Sequence, residues 1–259
     1  MTLNWESPKP GNSEVILYVG DKKVFQKIIE ENVTIHHVEV PINQTDVEYK
    51  YQVVTANYVS AWNTFKGLPS KDPLKIVVMA DWGFATDASI TKILEENPSV
   101  IMTGGDNIPS LYEYGKEGNK HCLNSYLALV DSFPELFNHI PFIPAMGNHD
   151  HQLHPRGPKP PADYMVYDTL GIAFTEFFNL TKDGWKGSFT VPQYNIKFLR
   201  LDLNHIHDYG TNWQTCHANH KGSVQFEWYV KQFAEPFDGY TVTIMNANNP
   251  DMRRVEEGI

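Results

Sequence analysis

The stretch Pro141-Phe-Ile-Pro-Ala-Met-Gly-Asn-His-Asp150 decides the fold. Its first six residues form a short apolar run, a strand candidate weakened by Pro144, and its last four form a turn carrying an amide, an imidazole and a carboxylate. Two earlier segments are built the same way. Lys75-Ile-Val-Val-Met-Ala80 is a continuous apolar run, as in a strand covered on both faces, and it stops at Asp81-Trp82-Gly83. Ser99-Val-Ile-Met102 leads to Gly104-Gly-Asp106-Asn107. Between them lie helical patterns: Ala88 to Glu96, with Ile90, Ile93 and Leu94 at helical spacing, and Leu123 to Phe137, interrupted at Pro134. Ile196 to Leu203 reads as a further buried strand, Ser223 to Phe233 as a helix and Tyr240 to Met245 as the last strand. This alternation predicts an α/β layer fold. Ligands gather beyond the carboxyl ends of strands in such sheets, so the three polar loops should converge. Two carboxylates, a carboxamide and an imidazole meeting there make an oxygen-rich metal site, and the neighbouring glycines let the backbone turn and keep bulk away.

Upstream of residue 70 the pattern is all-β. Val15 to Gly20, Lys23 to Ile29, Thr34 to Val40, Val47 to Val54 and Tyr58 to Phe65 read as five strands with short turns, a small sandwich. His36, Val38 and Val40 share one face of their strand, and Val47, Tyr49, Tyr51 and Val53 share one face of theirs. Gly67-Leu-Pro-Ser-Lys-Asp-Pro73 is the linker between the two parts.

The chain has 259 residues, ample for one large domain or two modest ones, and its 31 acidic against 21 basic side chains leave a net charge of −10. A nucleic-acid partner bound through a basic surface is excluded on that balance, because nothing would neutralise the phosphates. No run approaches the roughly 18 apolar residues of a membrane span, and the first residues lack the basic and apolar regions of a signal peptide. Sequons at Asn32, Asn43 and Asn179 point weakly towards secretion. Two cysteines, Cys122 and Cys216, allow either one disulfide or two free thiols.

The ordered set Asp81-Trp82-Gly83, Gly105-Asp106 and Gly147-Asn-His-Asp150 resembles the calcineurin-like metallophosphoesterases, and the glycine at position 83 is most similar to the purple acid phosphatase branch. Phe177-Phe-Asn-Leu180, Ser188-Phe189, Phe198 to Asn204 and Gln225-Phe-Glu-Trp228 extend the resemblance along the chain. It implies an α/β sandwich of the four-layer type over residues 71–259, truncated before the closing Gly-His-x-His segment. It also implies a fibronectin type III-like sandwich over residues 1–70, consistent with the Asp46 to Val53 stretch and with Asn4-Trp5. The activity implied is hydrolysis of a small phosphorylated substrate by a hydroxide held on two divalent metal ions, whether Mn, Mg, Fe or Zn. Carried over by position, Asp81 binds one metal, Asp106 bridges the pair, Asn148 binds the second, His149 acts on the phosphoryl group and Asp150 orients His149.

The sequence departs from that pattern in three places. Pro109 stands where the second motif has Asp or Tyr, so no tyrosinate colour is expected. Asn248 stands where the lone histidine belongs, leaving Asp81, Asp106, Asn148 and Asn248 as an all-oxygen ligand set suited to Mg, Mn or Ca. The Gly-His-x-His residues do not occur before Ile259. His205 with His207, His217 with His220 at i, i+3 spacing, and His151 with His154 are the pairs able to compensate. Three readings stay open: an active metallophosphoesterase, a degenerate or truncated member acting as a binding module, and a piece of a longer gene product.

Overall fold

The structure is a computed structural model and describes residues 1–71, 73–84, 89–155, 166–181, 183–203, 205–206, 214–215 and 217–246. The amino-terminal strands are β1 (Thr2–Val19), β2 (Lys22–Glu39), β3 (Glu48–Thr55), β4 (Tyr58–Val59) and β5 (Asn63–Lys66). They form one antiparallel sheet in the order β2-β1-β3-β4, with β5 also on β3. The segments Lys23–Ile29 and Thr34–Val40, expected as separate strands, fall in one strand, β2, apart from Val40 just beyond its end. The polar residues between them stay extended because pairing continues through Gly11 and Val33, with register shifts on either side absorbing the mismatch.

Those irregularities bend the ribbon. Trp5 Nε1 donates to Thr55 Oγ1 at 3.0 Å, although Thr55 follows the Glu14–Val54 pair nine residues further along β1. A straight strand would hold Trp5 and Glu14 about 30 Å apart at roughly 3.3 Å per residue. The strand therefore folds back, and a single sheet yields two facing layers. Val15, Leu17, Val38, Val40, Tyr49, Tyr51, Val53 and Phe65 are buried between them, with Leu3 and Trp5 packed against the cluster. The shared faces read from the sequence, His36/Val38/Val40 and Val47/Tyr49/Tyr51/Val53, are the ones turned inward, with Val47, just before β3, only half-buried. His36 is enclosed too, stacked on Trp5 at 4.7 Å with Ser7 and Ser13 hydroxyls at its two ring nitrogens.

Further along come β6 (Ile76–Met79), α1 (Thr91–Glu96), β7 (Val100–Thr103), α2 (Asn124–Ser132), α3 (Pro134–Phe137) and β8 (Phe142–Ile143). Pro134 ends one helix and begins the next, because its missing N–H is tolerated only in a first turn. The sheet order is β6-β7-β8. Lys75 O accepts from Ser99 N and Met79 O from Gly104 N, so β6 and β7 advance together as parallel strands do. β7 is buried throughout, whereas Val78 of β6 is 61 % exposed. The two-sided cover expected for β6 is therefore not found there; it is found at β7, the central strand of the three.

The remaining elements are α4 (Ile172–Phe177), β9 (Gly187–Val191), β10 (Ile196–Asp202), β11 (His205–Ile206), β12 (Gln214–Thr215), α5 (Val224–Ala234) and β13 (Tyr240–Asn246). β10 lies between β9, antiparallel, and β13, parallel, and β11 pairs with β12. Ser223 caps α5, its hydroxyl accepting from Phe226 N. Among the described residues no helix is long and apolar enough to cross a membrane. Cys122 is a buried free thiol, and Cys216 lies outside the described residues.

The chain divides into two compact units. One comprises Met1–Val77, Ala88–Ile101 and Val130–Ile143, and contains the folded-over sheet. The other comprises Val78–Asp87, Met102–Leu129 and Pro144–Ile259, and contains the ends of the first parallel strands and the β9-β10-β13 sheet. Leu17 is fully enclosed in the first unit. Leu17→Ala should lower its stability by about 2–5 kcal/mol, a loss read from the urea midpoint at unchanged m-value.

Candidate functional site

Backbone hydrogen bonds tie together the loops after β6, β7 and β8 in the second unit. Asp81 N donates to Gly105 O at 3.2 Å and Gly83 N to Asp106 O at 3.1 Å. His149 N donates to Asp106 Oδ1 at 2.9 Å. Asp106 is thus held from both sides, its main chain by the first loop and its carboxylate by the third. Asp81 and Asp106 both take left-handed backbone conformations, with φ of 57° and 53°. That region costs energy for most side chains and is tolerated best by Asp and Asn after glycine. The turns that the sequence assigns to glycines are therefore made partly by the aspartates themselves. Gly147 serves a different end: a Cβ there would overlap Asp106 N and Oδ1.

The motif residues differ in exposure. Asp81 is exposed, while Asp106 and Asn148 are buried at 5 % and 3 %. His149 has its ring fixed by Nδ1, which donates to the Pro109 carbonyl at 2.7 Å. A carbonyl can only accept, so Nδ1 carries a proton and the neutral ring has its lone pair at Nε2. The contact found on this imidazole is to Pro109, not the expected one to Asp150.

Asp150 has no exposed surface and serves as a junction. Its carboxylate accepts from Gly147 N at 2.8 Å, Asn107 N at 3.3 Å, Asn107 Nδ2 at 3.1 Å and Tyr126 OH at 2.9 Å. Burial, then the charge of Asp106, push its pKa up to about 6 against the lowering effect of these donors. Asn107 continues the network, donating to Ala145 O and accepting from Thr103 Oγ1 at 2.6 Å. The Tyr126 phenol is driven well above its usual range by burial and by the adjacent Asp150.

A second buried network follows the third motif. His151 Nδ1 donates to Asp168 O at 2.6 Å, and its Nε2 lies 3.4 Å from Asp202 Oδ2 at the end of β10. His217 Nδ1 donates to the same oxygen at 2.6 Å, and its ring stacks on Trp185 at 3.8 Å. Burial alone would raise Asp202, but its bonds and charge interactions with the two imidazoles hold it well below the carboxylate range. Two of the histidine pairs read as possible compensating ligands are bonded to different partners. His151 and His217 share Asp202, whereas His154 bonds Glu117 and His220 bonds the Lys221 carbonyl. His207 and Asn248 lie outside the described residues, as does the Arg156 to Pro161 loop. Among the described residues no three His, Cys, Asp or Glu side chains group as a metal site, so Asp81 and Asp106 would need amide oxygens to complete a coordination shell. Asn107, Tyr126 and Asp202 were not singled out by the sequence. Asn107 was visible only as the neighbour of Asp106, and Tyr126 only as a residue in a helical pattern. Gly147→Ala should cost about 1–3 kcal/mol through the forced displacement of Asp106, again measured by urea unfolding.

A family model described as calcineurin-like phosphoesterase matches residues 74–244. No curated protein sequence matches the chain. Among solved structures, the purple acid phosphatase PPD1 isolated from yellow lupin (Lupinus luteus) seeds superposes with a TM-score of 0.60 at 14 % identity, over 91 % of this chain and 46 % of that one. PhoD superposes with a TM-score of 0.52 at 15 % identity, over 85 % of this chain and 50 % of that one. At such identities the likeness is one of fold, and the chain spans about half the length of each structure. With strand-end motifs, loop geometry and a family match over residues 74–244 in agreement, the chain belongs to the calcineurin-like phosphoesterase family.

Proposed function

We propose that the chain is a metal-dependent phosphoester hydrolase, an acid phosphatase-like phosphomonoesterase with a dinuclear centre. Residues 71–259 form the catalytic domain in this reading, and residues 1–70 form a fibronectin type III-like scaffold. The observation that carries it is the bonding of Asp106 to both neighbouring loops, through Gly83 N and His149 N. Aspartate carboxylates and an asparagine amide are hard oxygen donors, and Asp106 and Asn148 are largely withdrawn from water, so the residues fit a divalent cation. Asp81, Asp106 and Asn148 would hold it, and the −10 net charge gives the cation a second use, attracting an anionic substrate that the protein surface would otherwise repel. When bound, such ions supply Lewis acidity that polarises a phosphoryl group and activates water.

The protein's own groups do the rest. His149, with Nδ1 fixed on the Pro109 carbonyl, offers Nε2 as the position that gives or takes a proton. In its protonated form that N–H donates to a phosphoryl or leaving oxygen, the role of a general acid. Asp150 holds the backbone of the second and third loops rather than the ring. The buried Gly147 N and Asn107 N are thereby fixed, which limits how far the loops can part.

Pro109 favours a second reading, a binding module without turnover. It replaces a side-chain ligand of the family pattern with a backbone carbonyl engaged by His149. One experiment separates the two. The wild-type protein should hydrolyse p-nitrophenyl phosphate with added Mn²⁺ or Mg²⁺, and Asp106→Asn should lower kcat on the order of 10²-fold or more, since several kcal/mol of transition-state stabilisation are lost. Asparagine keeps the left-handed backbone and removes only the charge. Equal rates for the two proteins would remove the enzyme reading, and Mn²⁺ uptake without turnover would favour the module.

A further inference from the structure

Tyr126 lies on α2, outside every motif, and has no exposed surface. Its ring packs among three phenylalanines: Phe177 stacks on it at 5.0 Å, and Phe178 and Phe174 meet it edge-on at 5.5 and 6.5 Å. Only the hydroxyl is polar, and it donates to Asp150 Oδ1 at 2.9 Å. The same carboxylate receives Asn107 from the β7 loop and Gly147 from the β8 loop. A buried carboxylate needs its donors, so removing one leaves the others to share a less compensated charge. Asn107 adjoins Asp106, and Gly147 adjoins Asn148. Any relaxation of Asp150 is therefore transmitted, one peptide away, to both proposed metal-holding positions.

We propose that Tyr126 is a positioning residue of the phosphoesterase site, setting through Asp150 the relative placement of Asp106 and Asn148; this rests on the functional reading above. The phenylalanines bury the ring, and the hydroxyl alone makes the contact with Asp150. Tyr126→Phe removes one oxygen and keeps the packing, whereas Phe174→Leu disturbs the packing and keeps the oxygen. A hydroxyl-specific role predicts different consequences for the two.

The test is Mn²⁺ titration calorimetry on wild type and both variants, with p-nitrophenyl phosphate kinetics and thermal melting alongside. Tyr126→Phe should weaken Mn²⁺ binding at least fivefold and lower kcat about tenfold, with KM within twofold, following the 10–100-fold losses seen when groups behind metal ligands are removed. Phe174→Leu should lower Tm while leaving Mn²⁺ affinity and kcat within twofold. The proposal is overturned if Tyr126→Phe matches wild type in both readouts, or if Phe174→Leu loses Mn²⁺ affinity and kcat in step with its Tm. If wild type binds Mn²⁺ but hydrolyses nothing, the catalytic reading fails by itself. The calorimetry still decides the role of Tyr126: weakened binding in Tyr126→Phe sustains positioning and unchanged binding overturns it. A wild type that takes up no Mn²⁺ overturns both.

Discussion

A carboxylate taken wholly out of water must find donors or give up its charge. At Asp150 the donors come from three separate stretches of chain: Asn107 after β7, Gly147 before the carboxylate itself, and Tyr126 on a helix. The arrangement of the site depends on this one satisfied group. Asn107 is drawn down by it and in turn engages Thr103 and Ala145, so the last residues of two parallel strands are fixed to one another. Asp106 and Asn148 are each one residue from a group bonded to Asp150.

Two neighbouring networks divide the work. The Asp150 network links the first sheet's strand ends. The Asp202 network begins at His151, one residue further on, and reaches the end of β10 and the segment bearing His217. A four-residue run, Asn148 to His151, thus bonds both to the loop after β7 and to the end of β10 within the second unit, with His149 turned instead to Pro109. Such a short run can do this because its backbone makes one turn of 3₁₀ helix over His149–His151, which sends consecutive side chains in different directions.

The sequence made legible whatever depends on local order. Apolar runs ending in Asp81, Asp106 and Asn148 announced parallel strands with polar carboxyl ends, and the break at Pro134 lies where a ring without an N–H must put it. Groups whose meaning depends on distant partners stayed hidden. Tyr126 is an ordinary helical aromatic until Asp150, 24 residues on, is placed against its hydroxyl. His217 carries the spacing of a ligand pair with His220, yet it bonds Asp202 and stacks on Trp185, whereas His220 bonds the Lys221 carbonyl. In the first unit, the polar residues Glu30 to Asn32 interrupt the apolar pattern that reads as two strands. Pairing through Gly11 and Val33 overrode that local preference and kept β2 continuous. Val78 was misjudged for the opposite reason: an apolar strand at the edge of a sheet has the same composition as one at its centre.

The left-handed backbone at Asp81 and Asp106 has an evolutionary consequence. Few residues settle comfortably there, chiefly glycine, asparagine and aspartate, and of these only aspartate is ionised at neutral pH. Mutational drift at either position is thereby channelled towards neutral replacements that preserve the loop's shape. On the proposed metal-holding role of these two aspartates, a descendant that had lost their charge would keep nearly the same main-chain trace as one that retained it. Within this lineage, backbone similarity is accordingly a poor witness to chemistry, and the identity of two side chains is a far better one.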